Sequence, residues 1–392
     1  MFNSIQNKSQ ILCSTSIKGE IMMAEKNSFF ESSLVQNFNK DIEQYHLGPL
    51  WNAIPDLMKH TPEPHAQAYL WKHDLLYKKL MEATEIFTPE RGGERRAIYL
   101  QNPGLNYRKP WGWASTTQTL YAAVQLILPG EEAPSHRHVQ NALRFVMEGE
   151  GAYTIVQGER LFMERGDFLT TPNGLWHGHG HPGDKPMIWM DCLDIPTIYY
   201  LGGTFFEPYP DKLEKPSLPD NYSQQRYEGG MVRPIGDRYK KKAPLGNFKW
   251  KQTEAAIQGL SRFEPDPFDG YAVEFINPSN GQTACPTIAA WMQKLPKGFH
   301  SKAHRHTHAS IYHVHEGSGY SVINGVRFDW EKGDYFVVPN WAWHEHIAEE
   351  DTYLFQTNDL PILEKFGLEK KQELDTNNGY QEVKSEFKPV MV

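Results

Sequence analysis

The segment SHRHVQNALRF occupies residues 135–145, and AHRHTHASIYH occupies residues 303–313. Each opens on two histidines separated by one residue, His136 and His138 in the first, His304 and His306 in the second. The same punctuation surrounds both pairs. The first copy runs Gly130, His136, His138, Gly149, Gly151, Gly158, Gly166, Pro172, Trp176, His177 and His179. The second runs Gly298, His304, His306, Gly317, Gly319, Gly325, Gly333, Pro339, Trp343, His344 and His346. The copies are 168 residues apart through Gly319 (319 − 151) and 167 from Gly325 onward (325 − 158), so a one-residue gap, expected in a hairpin loop, aligns the set. Self-similarity of this extent is a duplication.

Between the glycines lie short apolar runs: TLYAAVQLIL (119–128), ALRFVM (142–147), GAYTIVQ (151–157) and MIWMDCL (187–193). Closely spaced runs bounded by Gly and Pro predict strands, so the duplicated unit is a β domain. Upstream, Leu34, Phe38, Ile42 and Tyr45, and then Leu70, Leu75, Leu76, Leu80 and Met81, recur at helical spacing. The predicted organisation is a disordered lead-in over 1–32, with the start before Met23 left open, and a helical arm over 33–84. A first β domain over 85–206 follows, then a connector over 207–246, a second β domain over 247–368 and a polar tail over 369–392. The connector carries Lys240, Lys241 and Lys242, read as a solvated face.

With 40 Lys and Arg against 48 Asp and Glu, the 392-residue chain has a net charge of −8. That balance argues against nucleic acid or an anionic membrane as partner. Aromatic residues make up 13% of the chain, enough core-filling surface for a folded protein despite a mean hydropathy of −0.61. Cys13, Cys192 and Cys285 form no Cys-x-x-Cys, which excludes a disulfide scaffold or a Cys-rich zinc module and fits a reducing cytoplasm. The first residues hold no apolar stretch of the ~7–15 residues a signal peptide needs, and no run approaches the ~20 of a membrane span.

On a strand, residues i and i+2 point to one face ~6–7 Å apart, so both imidazoles of a His-x-His pair reach one metal. A third histidine, His177 or His344, follows a Gly-Asp-(Phe/Tyr)-x3-Pro turn, Gly166 to Pro172 or Gly333 to Pro339. Three neutral nitrogens on one side leave open positions opposite, as at non-haem Fe(II) centres. The candidate metal ligands are therefore His136, His138 and His177, and His304, His306 and His344.

Gly-x5-His-x-His followed by Gly-Asp-x4-Pro-x-Gly-x2-His resembles the two cupin motifs, and two copies make a bicupin. The second copy departs at Trp341, where the first has Gly174. The glutamate common after the His pair is missing: Ala142 and Leu143 stand there in one copy, Ser310 and Ile311 in the other. In this respect, and in GGERRAIYLQNPGL (92–105), HRHVQNALRFVMEGEGAYTIVQGER (136–160) and LWHGHGH (175–181), the chain is similar to the gentisate 1,2-dioxygenase family and its salicylate and 1-hydroxy-2-naphthoate relatives. The resemblance spans residues 47–368. It implies two double-stranded β-helix (jelly-roll) barrels with an N-terminal helical arm, a mainly β fold, in a homotetramer. It implies Fe(II) as cofactor, and a reaction in which both atoms of O2 enter between the carboxyl- and hydroxyl-bearing ring carbons of an aromatic hydroxy acid. With gentisate the product is maleylpyruvate.

Such a substrate is a bidentate anion, for which Arg96 and Arg144 are the candidate donors, since guanidinium matches carboxylate geometry. His179, two residues after ligand His177, can share its face and exchange a proton with substrate. Asp191 can orient a histidine, and Gln125, on the strand before the ligand pair, can donate to substrate. Arg144 and Asp191 fit a buried ion pair equally well, and Gln125 a pin at a strand edge. Asn102, Trp113 and Tyr121 are candidates for setting the accepted ring substituent. In the repeat register, Gln125 aligns with Gln293, Arg144 with Tyr312 and Asp191 with Asn358. Catalysis is therefore expected in the first copy and a metal-competent but altered pocket in the second, which is rich in histidines besides its triad: His300, His308, His313, His315 and His346. The competing readings are an oxalate- or sugar-handling bicupin with manganese or zinc, disfavoured by the missing glutamate, and a non-catalytic metal-binding bicupin.

Overall fold

The computed structural model describes residues 31–87, 96–105, 115–228, 232–238 and 244–391. Residues 1–30 of the lead-in, the Lys240–Lys242 run and Trp113 lie outside the described residues. Two units are present, Met1–Thr61 and Pro62–Val392. In the first, helices α1 (Ser33–Glu43) and α2 (Leu50–Leu57) bring the rings of Phe38 and Trp51 to 6.1 Å, and Trp51 Nε1 donates to Asn39 Oδ1 at 3.2 Å. Among the described residues no helix is long and apolar enough to cross a membrane.

The second unit begins with β1 (Tyr69–Trp71) and α3 (His73–Ile86), so the stretch expected as a helical arm also contains a strand. The first barrel follows: β2 (Arg96–Tyr99), β3 (Tyr121–Ile127), β4 (Glu132–His138), β5 (Ala142–Glu148), β6 (Glu150–Val156), β7 (Glu159–Glu164), β8 (Phe168–Thr171), β9 (His177–Gly180), β10 (Met187–Leu193) and β11 (Phe206–Pro208). Then come β12 (Asn247–Phe248), α4 (Trp250–Leu260) and the second barrel: β13 (Tyr271–Glu274), β14 (Ala289–Leu295), β15 (His304–His306), β16 (Ser310–Glu316), β17 (Ser318–Ile323), β18 (Val326–Glu331), β19 (Tyr335–Val338), β20 (His344–Ala348) and β21 (Thr352–Asn358). Two edge strands, β22 (Lys371–Glu373) and β23 (Ser385–Glu386), come from the stretch read as a polar tail.

Each barrel is a pair of facing sheets. The first combines β12-β8-β5-β10-β3-β2 with β11-β4-β9-β6-β7; the second combines β1-β19-β16-β21-β14-β13 with β22-β15-β20-β17-β18-β23. The fold is the mainly β, two-barrel one expected. Alternation along the strands separates its cores. Leu143, Phe145 and Met147 of β5, Ala122, Val124 and Leu126 of β3, and Ile188, Met190 and Cys192 of β10 face the second barrel, in a shared core with Ile311, Val337 and Phe355. Phe145 stacks on Phe355 at 4.1 Å and 11° across that core. The intervening residues of the same strands, including Val146, Ile127, Met187 and Trp189, fill the first barrel's interior.

The one-residue gap between the copies lies elsewhere than expected. The hairpins at Gln157-Gly158 and Asn324-Gly325 match, each with positive φ at both residues. The extra residue sits inside β6, where the register to β7 shifts between Glu150 and Tyr153, whereas β17 and β18 pair without a shift. It is a β-bulge, which absorbs one residue while the alternation on either side continues.

The barrels complete one another. β1 precedes the first barrel yet pairs with β19 of the second; β12 precedes the second yet pairs with β8 of the first. The Gly-Asp turn of the repeat is the socket for each exchanged segment. Asp167 accepts from the Trp250 backbone N–H at 3.0 Å and Lys249 Nζ at 2.5 Å, and Asp334 accepts from the His73 N–H at 2.9 Å and Lys72 Nζ at 2.6 Å. Gly166 (φ +87) and Gly333 (φ +93) are glycine for two reasons: the left-handed backbone, and rings of Trp250 and His73 standing where a Cβ would be.

Candidate metal centre and its cavity

Pairing of β4 with β9 sets His136 opposite His177, and the i, i+2 relation adds His138. The potential ligand atoms of the three lie within 4.8 Å of one another. Each Nδ1 meets a backbone carbonyl: His136 with Pro134 at 3.1 Å, His138 with Gln140 at 3.0 Å and His177 with Leu175 at 2.9 Å. Donation to those carbonyls fixes the Nδ1–H tautomer and makes Nε2 the lone-pair nitrogen of each ring. His177 Nε2 is buried with no hydrogen-bond partner. Burial, and then the neighbouring His136, holds His177 well below the ordinary histidine pKa, hence neutral. A convergent set of neutral imidazoles with an orphaned buried nitrogen fits a divalent transition metal.

A cavity of about 330 Å³ opens onto this cluster. The alternation that sends Phe145 to the interface sends Arg144 inward, and the same parity on β3 and β10 brings Gln125 and Asp191 to the cavity, with His179 from β9. Arg144 Nε pairs with Asp191 Oδ1 at 2.9 Å, and Nη1 donates to Thr171 Oγ1 at 2.6 Å. Asp191 Oδ2 also accepts from Trp189 Nε1 at 3.0 Å. Burial lowers the Arg144 pKa and the Asp191 charge opposes that, so the guanidinium stays charged. His179 Nδ1 meets Thr154 Oγ1 at 3.1 Å.

Arg96 is placed elsewhere. Its neighbour Ala97 pairs with Gln125 and lines the cavity, whereas Arg96, one position off, pairs with Leu126 and faces away. There it forms an ion pair with Glu131 and donates to the Phe87 carbonyl at 3.1 Å. Asn102 is also remote: it clasps the Gln67 backbone N–H at 3.0 Å and carbonyl at 2.8 Å. Tyr121 does line the cavity, its phenol pKa raised by burial and then by Asp191. Sequence reasoning missed Gln140, Thr204 and Phe206. Phe206 lies on His136 at 5.4 Å and 26° because β11 pairs with β4, a register no spacing in the chain announces.

The second triad repeats the first. His304, His306 and His344 lie within 4.8 Å, with His306 Nδ1 to the His308 carbonyl at 2.8 Å and His344 Nδ1 to the Ala342 carbonyl at 3.0 Å. Burial pushes His344 down to about 4. Its surroundings differ. Tyr312 stacks on Phe336 at 4.6 Å, and Gln293 donates to Asp269 Oδ1 at 3.1 Å.

Residues 123–195 and 291–355 each match the cupin domain family. A gentisate 1,2-dioxygenase of Aquipseudomonas alcaligenes is 38% identical over 85% of this chain and 94% of its own. A 5-aminosalicylate 1,2-dioxygenase of Comamonas is 36% identical over 89% and 93%. Among solved structures, a salicylate 1,2-dioxygenase of Pseudoaminobacter salicylatoxidans, solved as an adduct with gentisate, superposes with a TM-score of 0.81 at 33% identity. That match covers 87% of this chain and 94% of the other.

Proposed function

The chain belongs to the gentisate 1,2-dioxygenase family of bicupin ring-cleaving dioxygenases, and on that premise we propose that its first barrel cleaves gentisate to maleylpyruvate with Fe(II). The observation that carries this reading is one cavity holding both the three-histidine cluster and a buried, charge-paired arginine. Iron(II), held by His136, His138 and His177, supplies the redox capacity and the positive charge that bring an anionic ring and O2 together.

The chain's own residues bind and orient. Asp191 and Thr171 occupy Nε and Nη1 of Arg144. Held by these partners at the cavity, the guanidinium meets the substrate carboxylate already oriented and without rotamer search. Gln125 offers a neutral carboxamide to the ring substituents. His179, steadied by Thr154, exchanges the proton of the ring hydroxyl beside the carboxylate. Phe206, Leu193 and Ile195 give the ring an apolar wall and exclude water. Both oxygen atoms of O2 end in the product as the bond between the carboxyl- and hydroxyl-bearing carbons breaks. Arg96 has no part in this. The buried thiols of Cys192 and Cys285 suit a cytoplasmic location, and the resemblance to the family supports a homotetramer.

The test is oxygen uptake by anaerobically Fe(II)-loaded chain given gentisate, 5-aminosalicylate, salicylate and 1-hydroxy-2-naphthoate in parallel. Uptake fastest with gentisate, one O2 per ring, is expected. Preference for a monohydroxylated acid moves the substrate and keeps the chemistry; no uptake with any of them overturns the reading.

A further inference from the structure

Besides His313 and His315 on β16, the second barrel buries His304, His306, His308, His344 and His346, each at least nine-tenths removed from solvent. Nε2 of His308, His344 and His346 has no hydrogen-bond partner. Among the described residues no carboxylate hydrogen-bonds to any of the five. A structure that leaves several buried ring nitrogens unsatisfied is organised around something that satisfies them. The three that converge join β15 to β20, where His304 pairs with His344 across the sheet.

The space beside this triad is filled. His308 lies flat on His306 at 3.4 Å and 7°, where the first barrel has Gln140. Trp291, at the position of Ala123, stands edge-on to His308 at 5.9 Å. Phe268 presents an edge to His304 at 5.1 Å. The anion clamp is gone as well, with Tyr312 for Arg144 and Asn358 for Asp191. We propose that the second barrel holds its own first-row transition-metal ion on His304, His306 and His344, in a closed pocket that admits no aromatic acid. An all-imidazole set suits iron or zinc. The ion's work is to tie two strands together, so this chain carries two metals of different accessibility, one facing substrate and one enclosed.

The test loads the full chain anaerobically with Fe(II), removes loose metal by gel filtration and counts iron per chain. Wild-type chain should retain about two irons, and His136→Ala and His344→Ala about half as much each. His344→Gln repeats the measurement should the alanine variant fold poorly. Nitric oxide then reports each remaining iron by electron paramagnetic resonance. Gentisate should alter the signal of His344→Ala and leave that of His136→Ala unchanged. A wild-type chain with a single iron, lost entirely in His136→Ala, overturns the proposal. So does full iron retention in both His344 variants, or a His136→Ala iron whose signal responds to gentisate.

Discussion

Arg144 is the residue on which charge, geometry and burial converge. It is 4% exposed, and a buried ion whose partner is deleted leaves the other ion uncompensated at a cost of about 3–5 kcal/mol. Arg144→Ala should therefore lose stability of that order in urea denaturation, and Arg144→Met with Asp191→Asn together should recover most of it. Arg144→Lys keeps the charge but loses the planar fork, and kcat/KM for gentisate should fall about 100-fold, the scale of one charge-assisted bond made in the transition state. An unchanged kcat/KM would remove Arg144 from substrate binding. The gathering of Gln125, Arg144, Asp191 and His179 at one cavity was legible because alternation along a strand is rigid: once the His pair marks the inner face, parity places the rest. Arg96 was not legible, because its side depends on the register of β2 against β3, which sets Ala97 rather than Arg96 opposite Gln125. Gln140 and Phe206 carried no sequence signal, since neither residue type suggests a ligand wall until β11 is laid beside β4.

At the scale of elements, the repeat disclosed two barrels but not their exchange of strands. β1 has three residues and β12 two, too short for any periodicity, and each pairs far from its neighbours in the chain. Physical sense appears only with the sockets. Asp334 is wholly buried, its pKa raised by desolvation against the opposing pull of Lys72, and Asp167 stands in the same relation to Lys249. Lys72→Met removes the cation and leaves the buried carboxylate, so it should destabilise by about 3 kcal/mol. Lys72→Met with Asp334→Asn should cost less than Lys72→Met alone. Equal losses, measured by chemical denaturation, would mean that the lysine acts only through its aliphatic stem. The bulge in β6 follows the same logic: a length difference reads as a loop by default, because nothing in GAYTIVQ distinguishes an extra strand residue from an extra turn residue.

For the whole molecule, the face between the barrels decides how it unfolds. A cavity of about 130 Å³ there is lined by His73, Met147, Glu148, Arg165, His313, His315, Lys332 and Gly333. Burial, then His73 and Arg165, pushes His313 down to about 3. A folded pKa below the unfolded 6.5 means the unfolded chain takes up the proton first, so this stability is present above pH 6.5 and drains away as pH falls toward 3. At pH 5.5 the loss from His313 is about 1.4 kcal/mol, and His313→Asn should narrow the stability difference between pH 7.5 and 5.5 by that amount. An unchanged difference would assign the acid sensitivity to other groups. The same face carries reciprocal ties: Thr119 Oγ1 donates to Asp359 Oδ2 at 2.5 Å, and Thr287 Oγ1 donates to Asp194 Oδ2 at 2.6 Å. Since one sheet of each barrel ends in a strand from the other's leading segment, and one core spans both, neither barrel retains its native edge when the other melts. Residues 62–392 should therefore unfold in one calorimetric transition, with calorimetric and van 't Hoff enthalpies equal, although their length would ordinarily suggest two domains melting in turn. Asp359→Ala should lower that transition without dividing it. Two resolved transitions in the wild-type chain, each assignable to one barrel, would mean that the exchanged strands decorate two independent folds rather than join them.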